Sequence, residues 1–209
     1  MPVSHTIFLY EPPSSFALPP FFTVTVPVQT VSASVTAKLP FPIPDPVSNY
    51  ERRQYPNLRV YINAEVIPDI VRVLHGCGKA AYFSHHFLWD IGHYFQSKMM
   101  MMGRYVELFM DYATQLECAR SLTEKDFAII CSVGGSYLTR YPDICNAILS
   151  SGCKMLIITQ NLASPYLNTA DFILQCGTTN RNDVGKYAAL MANDLILMGY
   201  LRAYDKAFQ

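Results

Sequence analysis

Two short apolar runs, Phe127-Ala128-Ile129-Ile130-Cys131 and Met155-Leu156-Ile157-Ile158, constrain the fold of this chain more than any other feature. The first empties into Ser132-Val133-Gly134-Gly135-Ser136 and the second into Thr159-Gln160-Asn161-Leu162-Ala163-Ser164-Pro165. Runs of this length without alternation suit strands buried on both faces, and Ile144, Ile148 and Leu149 between them suit a crossover helix, so the stretch reads as one βαβ unit. In such a unit both loops open on the edge where the strands have their carboxyl ends. A helix starting after Gly134-Gly135-Ser136 would aim free N–H groups and its positive dipole end at that edge, which suits an anion such as a phosphate ester. A Gly-Gly after a strand also serves as a plain tight turn.

The rest of the chain extends the pattern. Ile62, Val66, Ile67, Ile70, Val71 and Leu74 predict an amphipathic helix broken near Pro68 and closed by Gly76 and Gly78. Further strands are expected at Lys79–Phe83, Arg104–Phe109, Cys153–Ile158 and Phe172–Cys176. Helices are expected at Leu88–Met102, Tyr112–Ala119, Tyr137–Ser150 and Asp183–Ala203, the last with Asn182 as its N-cap. Five short strands alternating with helices imply an α/β domain over residues 57–209, with three αβα layers and a five-stranded parallel sheet in flavodoxin-like order.

Residues 1–56 differ. They hold most of the prolines, including Pro12-Pro13, Pro19-Pro20 and the alternating Pro40, Pro42, Pro44 and Pro46, and no glycine. Spaced prolines disfavour helix and central strand, so a weakly structured extension is expected, with Phe22–Val26 and Val31–Thr36 as candidate edge strands.

A formal net charge of zero argues against a general nucleic-acid or membrane-surface binder. The six cysteines show no Cys-x-x-Cys spacing and mostly lie in apolar runs, which suits reduced core thiols in a cytoplasmic protein. No apolar run is long enough to span a membrane, and no charged n-region precedes an apolar segment. His85, His86 and His93 lack a carboxylate or cysteine at ligand spacing, so no metal and no cofactor is expected.

Several motifs carry a family likeness: Leu122-Thr123-Glu124-Lys125-Asp126 before a strand, Ile130-Cys131-Ser132-Val133-Gly134-Gly135-Ser136 after it, and Ser151-Gly152-Cys153 through Thr159, followed by Ser164-Pro165-Tyr166-Leu167 and Ala170-Asp171. With these, the chain from about Val66 to Tyr204 resembles the SIS (sugar isomerase) domain, specifically the phosphosugar-sensing half of RpiR-type bacterial transcription regulators. The resemblance implies a phosphosugar held between a Gly-x-Gly-x-Ser loop after the first strand and a Ser-x-Ser-Gly-x-Thr loop after the third. Here the first loop reads Ser84-His85-His86-Phe87-Leu88, and the second puts Gly134 and Tyr137 where hydroxyls are expected. Each hydroxyl missing from a phosphate forgoes roughly 1.5–3 kcal/mol.

The implied ligand set is therefore Ser84, His85 and His86 from the first loop, Ser132, Gly134, Gly135 and Ser136 from the second, and Thr159 and Ser164 from the third. The resemblance implies a non-catalytic, phosphosugar-binding effector domain of a regulator. The helix-turn-helix that precedes it in that family has no match in residues 1–56, so no direct DNA binding is expected. A homodimer is expected through the stripe Tyr187, Leu190, Met191, Asp194, Leu195, Met198 and Leu201. The rival readings are a degenerate dimerisation scaffold, with the crevice plugged by Phe87, Leu88 and Tyr137, and an aldose-ketose isomerase using His85 as base.

Overall fold

The computed structural model describes residues 33–37, 58–177 and 182–204, and the chain divides into two compact units, Met1–Tyr61 and Ile62–Gln209. In the first unit, strand β1 (Ala33–Ala37) pairs with β2 (Leu58–Ile62). Leu58–Ile62 is thus strand, in keeping with its alternation of Leu58, Val60 and Ile62 with Arg59 and Tyr61. The expectations for Pro12 to Pro46 and for Phe22–Val26 lie outside the described residues.

The second unit holds strands β3 (Ala80–Phe83), β4 (Val106–Leu108), β5 (Phe127–Cys131), β6 (Lys154–Thr159) and β7 (Phe172–Gln175), all parallel, in spatial order β4-β3-β5-β6-β7. Numbered within the sheet this is 2-1-3-4-5, the flavodoxin-like order, with its switch point between β3 and β5. The helices are α1 (Ile67–Gly76), α2 (Phe87–Met101), α3 (Tyr112–Arg120), α4 (Ser136–Arg140), α5 (Pro142–Ser151) and α6 (Asn182–Tyr204).

Strand alternation divides the core in two. Ala81, Phe83, Ala128, Ile130, Met155 and Ile157 pack with Cys118, Leu138, Ile144 and Ile148 of α3, α4 and α5. On the other face Tyr82 lies against Phe95 of α2, and its hydroxyl donates to Asn193 of α6 at 3.2 Å. Gly92 permits this approach of α2, because a Cβ there would stand 2.8 Å from the Tyr82 ring. α1 and α2 both pack on α6, completing the three layers.

Two helices depart from the sequence expectation. Pro68 does not break a helix; it occupies the first turn of α1, where its missing N–H costs nothing, and a short 3-10 turn at Ala64–Val66 precedes it. The helix expected over Tyr137–Ser150 is two helices, because Pro142 disfavours the helical region at Tyr141, which sits at φ −123 and ψ 57. In α6 the buried face is Ala188, Ala189, Ala192, Asn193 and Ile196, offset from the expected stripe, of which Tyr187 and Leu190 are exposed and Met191 and Asp194 half-buried. The Asn182 side chain lies outside the described residues.

The β7 edge is closed by a side chain that imitates a strand. Asn63 Nδ2 donates to Ile173 O at 3.0 Å, its Oδ1 accepts from Gln175 N at 2.7 Å, and Ile62 bridges Cys176 antiparallel. Capping leaves fewer unpaired edge groups for another chain to pair with. Asn63→Ala should cost about 1–2 kcal/mol in urea unfolding, the value of two half-buried amide bonds, and a midpoint equal to wild type would contradict this role.

Candidate functional site

Five loops leave the carboxyl ends of the strands on one edge, and the switch point places the β3–α2 and β5–α4 loops side by side there. One residue ties three of the walls together. Gln115 of α3 is buried, and its Nε2 lies 3.1 Å from Ser84 O after β3 and 3.0 and 3.3 Å from Phe109 O and Met110 O after β4. Its Oε1 accepts a short bond from the Tyr137 hydroxyl, next to the β5 loop. Gln115 stands one helical turn before Cys118 and Ala119 and two before Leu122, so its core-facing position was readable from spacing, although its task was not.

The β5 and β6 loops are laced to each other. Asn161 Nδ2 donates to Gly134 O at 3.2 Å, Thr159 Oγ1 donates to Val133 O at 3.2 Å, and Asn161 N donates to Thr159 Oγ1 at 3.0 Å. Gly135 sits at φ 82, and a Cβ on it would fall 2.6 Å from Asn161 Nδ2, so both its conformation and its neighbour demand glycine. Ser132 Oγ is buried and accepts from Tyr137 N at 3.0 Å, capping the short helix α4. Thus Ser132, Gly134, Gly135 and Thr159 use their polar groups or backbone shape to build the loops. Ser164 Oγ is buried with no partner, and Ser164 O accepts from Leu167 N at 3.2 Å.

The remaining expected residues meet at the mouth. His85 Nε2 lies 3.4 Å from Ser136 Oγ, and its ring stands 5.5 Å from that of Tyr137 and 5.7 Å from that of Tyr141. Its Nδ1 is buried without a partner. Burial, then the electrostatic influence of the neighbouring His86 and Arg140, push the imidazole down to about 4, so the ring is neutral at neutral pH. Ser84 is fully buried with its Oγ unpartnered.

His86 is exposed at the N-cap of α2, 3.2 Å from Arg140 Nη1 through its Nε2. Among the described residues it alone, of those with a side chain, has positive φ, at 52 with ψ −136. Such a backbone costs about 1–3 kcal/mol in a non-glycine residue. His93 is elsewhere, stacked on Trp89, so the two histidines share no ligand face. Phe87 is 53% exposed, whereas Tyr137 is fully buried. Arg140, Gln115, Asn161 and Tyr141 are the contributors that sequence reasoning missed.

No protein-family model matches the sequence, and no curated protein matches it. Solved structures do. The sugar isomerase domain of an RpiR transcription factor from Sphaerobacter thermophilus superposes with a TM-score of 0.58 at 16% identity, over 67% of this chain and 79% of the other. The Vibrio vulnificus NanR protein complexed with ManNAc-6P gives 0.60 at 16% identity, over 68% of this chain and 56% of that longer one. A Methanococcus jannaschii protein, whose structure led to an inferred function of 3-hexulose-6-phosphate isomerase, gives 0.51 at 16% identity over 65% and 76%. Regulators and isomerase-like proteins thus share this architecture, and the chain has the α/β fold of the sugar isomerase domain.

Proposed function

We propose that this chain is a non-catalytic binding domain for a sugar phosphate or a related anionic carbohydrate, the effector-sensing part of an RpiR-like transcription regulator. The observation that carries the reading is the meeting of His85, His86 and Ser136 at the switch-point crevice of a fold in which NanR holds ManNAc-6P. His85, His86 and Ser136 face the ligand, with Ser84 and Ser164 offering unpartnered hydroxyls, while Ser132, Gly134, Gly135 and Thr159 hold the loops in place. In this reading the domain acts as a homodimer, is cytoplasmic and does not itself bind DNA. Among the described residues no helix is long and apolar enough to cross a membrane.

The non-catalytic part of the reading is supported by His85, whose lowered basicity makes it a weak proton acceptor at neutral pH. A ligand at one hundred times its Kd should stabilise the fold by about 2.7 kcal/mol, an upward Tm shift of roughly 5–10 °C for a domain this size. Thermal unfolding against millimolar aldose and ketose phosphates measures the shift. No shift with any of them contradicts the reading, and interconversion of an aldose and ketose phosphate that His85→Ala abolishes establishes the isomerase instead. The scaffold reading draws support from Tyr137, which is fully buried, and from the capping role of Ser132. It predicts wild-type dimerisation with no ligand shift.

A further inference from the structure

Arg140 and His86 form a basic cluster for which the described residues provide no counter-charge. The four ion pairs found among those residues use Arg72, Lys79, Arg120 and Lys154, and none includes Arg140. Asp143, three residues further on, accepts instead from the Tyr112 hydroxyl at 3.0 Å. A guanidinium only donates, so at 3.2 Å Arg140 Nη1 donates to a lone pair of His86 Nε2. The His85 and His86 rings are 4.5 Å apart, and Ser136 Oγ faces His85 at 3.4 Å. A guanidinium, two imidazoles and a hydroxyl thus gather at one mouth in a chain of zero formal net charge.

The backbone at His86 adds an independent observation. At φ 52 and ψ −136 the position suits glycine, yet it carries an imidazole, and that imidazole is held against Arg140. Strain retained at a crevice mouth signals that the side chain placed there has a task.

We propose that Arg140 and His86 are the phosphate clamp of this domain: the guanidinium grips a phosphate monoester through two parallel N–H bonds and the imidazole supplies a third donor, with Ser136 Oγ beside them. This assignment rests on the reading of the crevice as an anionic-ligand site and moves the anion from the Ser132 and Thr159 hydroxyls, which the loops consume, to the mouth between α2 and α4. Arginine suits the task because its planar fork matches phosphate oxygens in pairs, where lysine offers a single point charge. His86 Nε2, the acceptor for Arg140 in the empty site, is released when the guanidinium turns to the anion.

The test is isothermal titration of wild type, Arg140→Ala, Arg140→Lys and His86→Gly with inorganic phosphate, glucose 6-phosphate, glucosamine 6-phosphate and unphosphorylated glucose. Wild type should bind the phosphorylated probes and ignore glucose. Arg140→Ala should bind at least tenfold more weakly, and Arg140→Lys should fall between. His86→Gly should bind severalfold more weakly and yet melt about 3 °C or more above wild type, because glycine relieves the backbone. Wild-type affinity in both Arg140→Ala and His86→Gly overturns the clamp and leaves the sugar-phosphate reading standing. Binding of inorganic phosphate through Arg140 with rejection of both sugar phosphates overturns the clamp as a monoester site. No binding of any anion at ten millimolar overturns both.

Discussion

Gln115→Ala is expected to lower the unfolding free energy by about 3–5 kcal/mol and to open the crevice at the same time. The Gln115 amide is the partner of Ser84 O, Phe109 O and Met110 O, and its oxygen receives the Tyr137 hydroxyl. Truncation strands these groups in a region where Ser84 and Tyr137 are fully buried, at about 1–3 kcal/mol for each that water fails to reach, and adds a cavity. Gln115→Leu fills most of the volume but satisfies none of the polar groups. The difference between the two variants in urea unfolding therefore measures the packing term, and the loss that remains in Gln115→Leu measures the hydrogen-bond term. Because Gln115 anchors the loop that carries His85, both variants should also weaken any sugar phosphate the wild type binds. A loss below 1 kcal/mol in Gln115→Ala would mean that the hub is dispensable.

The contrast between what the sequence foretold and what it hid has a physical basis in these same residues. Strands β5 and β6 were readable because burial on both faces requires unbroken apolar runs, and Phe127–Cys131 and Met155–Ile158 supply them. Alternation with helices pointed to a doubly wound parallel sheet, and the flavodoxin-like order went with the family resemblance. The break at Pro142 was readable in principle, since a residue before proline avoids the helical region, but the apolar spacing of Ile144 and Ile148 continued through it and concealed the division. Loop hydroxyls were the hard part. Ser132 and Ser136 lie four residues apart in one loop and have the same chemistry, yet one caps Tyr137 N and the other faces His85. Sequence does not distinguish a serine that completes its own turn from one that faces another loop. Arg140 was hidden for a related reason: its contact with His86 spans 54 positions and leaves no local pattern.

Asp126→Asn is expected to cost about 2–4 kcal/mol at neutral pH while leaving the crevice untouched. Asp126 opens β5 at the amino edge of the sheet, opposite the ligand loops, and is buried. Its Oδ1 accepts from Lys79 N at 2.8 Å, and its Oδ2 accepts from Thr123 N at 2.7 Å and Thr123 Oγ1 at 2.8 Å. Both oxygens therefore face donors only, and an amide must turn its own N–H groups toward one of them, exchanging a charge-assisted bond for a repulsion. Burial alone pushes this carboxyl up, but the bonds from Thr123 and from the Lys79 amide outweigh it and hold the group below its ordinary value. A carboxyl depressed on folding contributes stability that is fully present above the unfolded-state value near 3.8 and is lost as pH falls through the folded-state value. Wild type should therefore lose this contribution below about pH 4, and Asp126→Asn should show a flatter stability profile over the same acid range. Ligand affinity measured on the folded fraction should match wild type, because the bonds Asp126 makes gather the starts of β3 and β5 and leave their ends to Gln115. A steep acid dependence that survives in Asp126→Asn would assign the proton uptake to other carboxylates and remove Asp126 from this role.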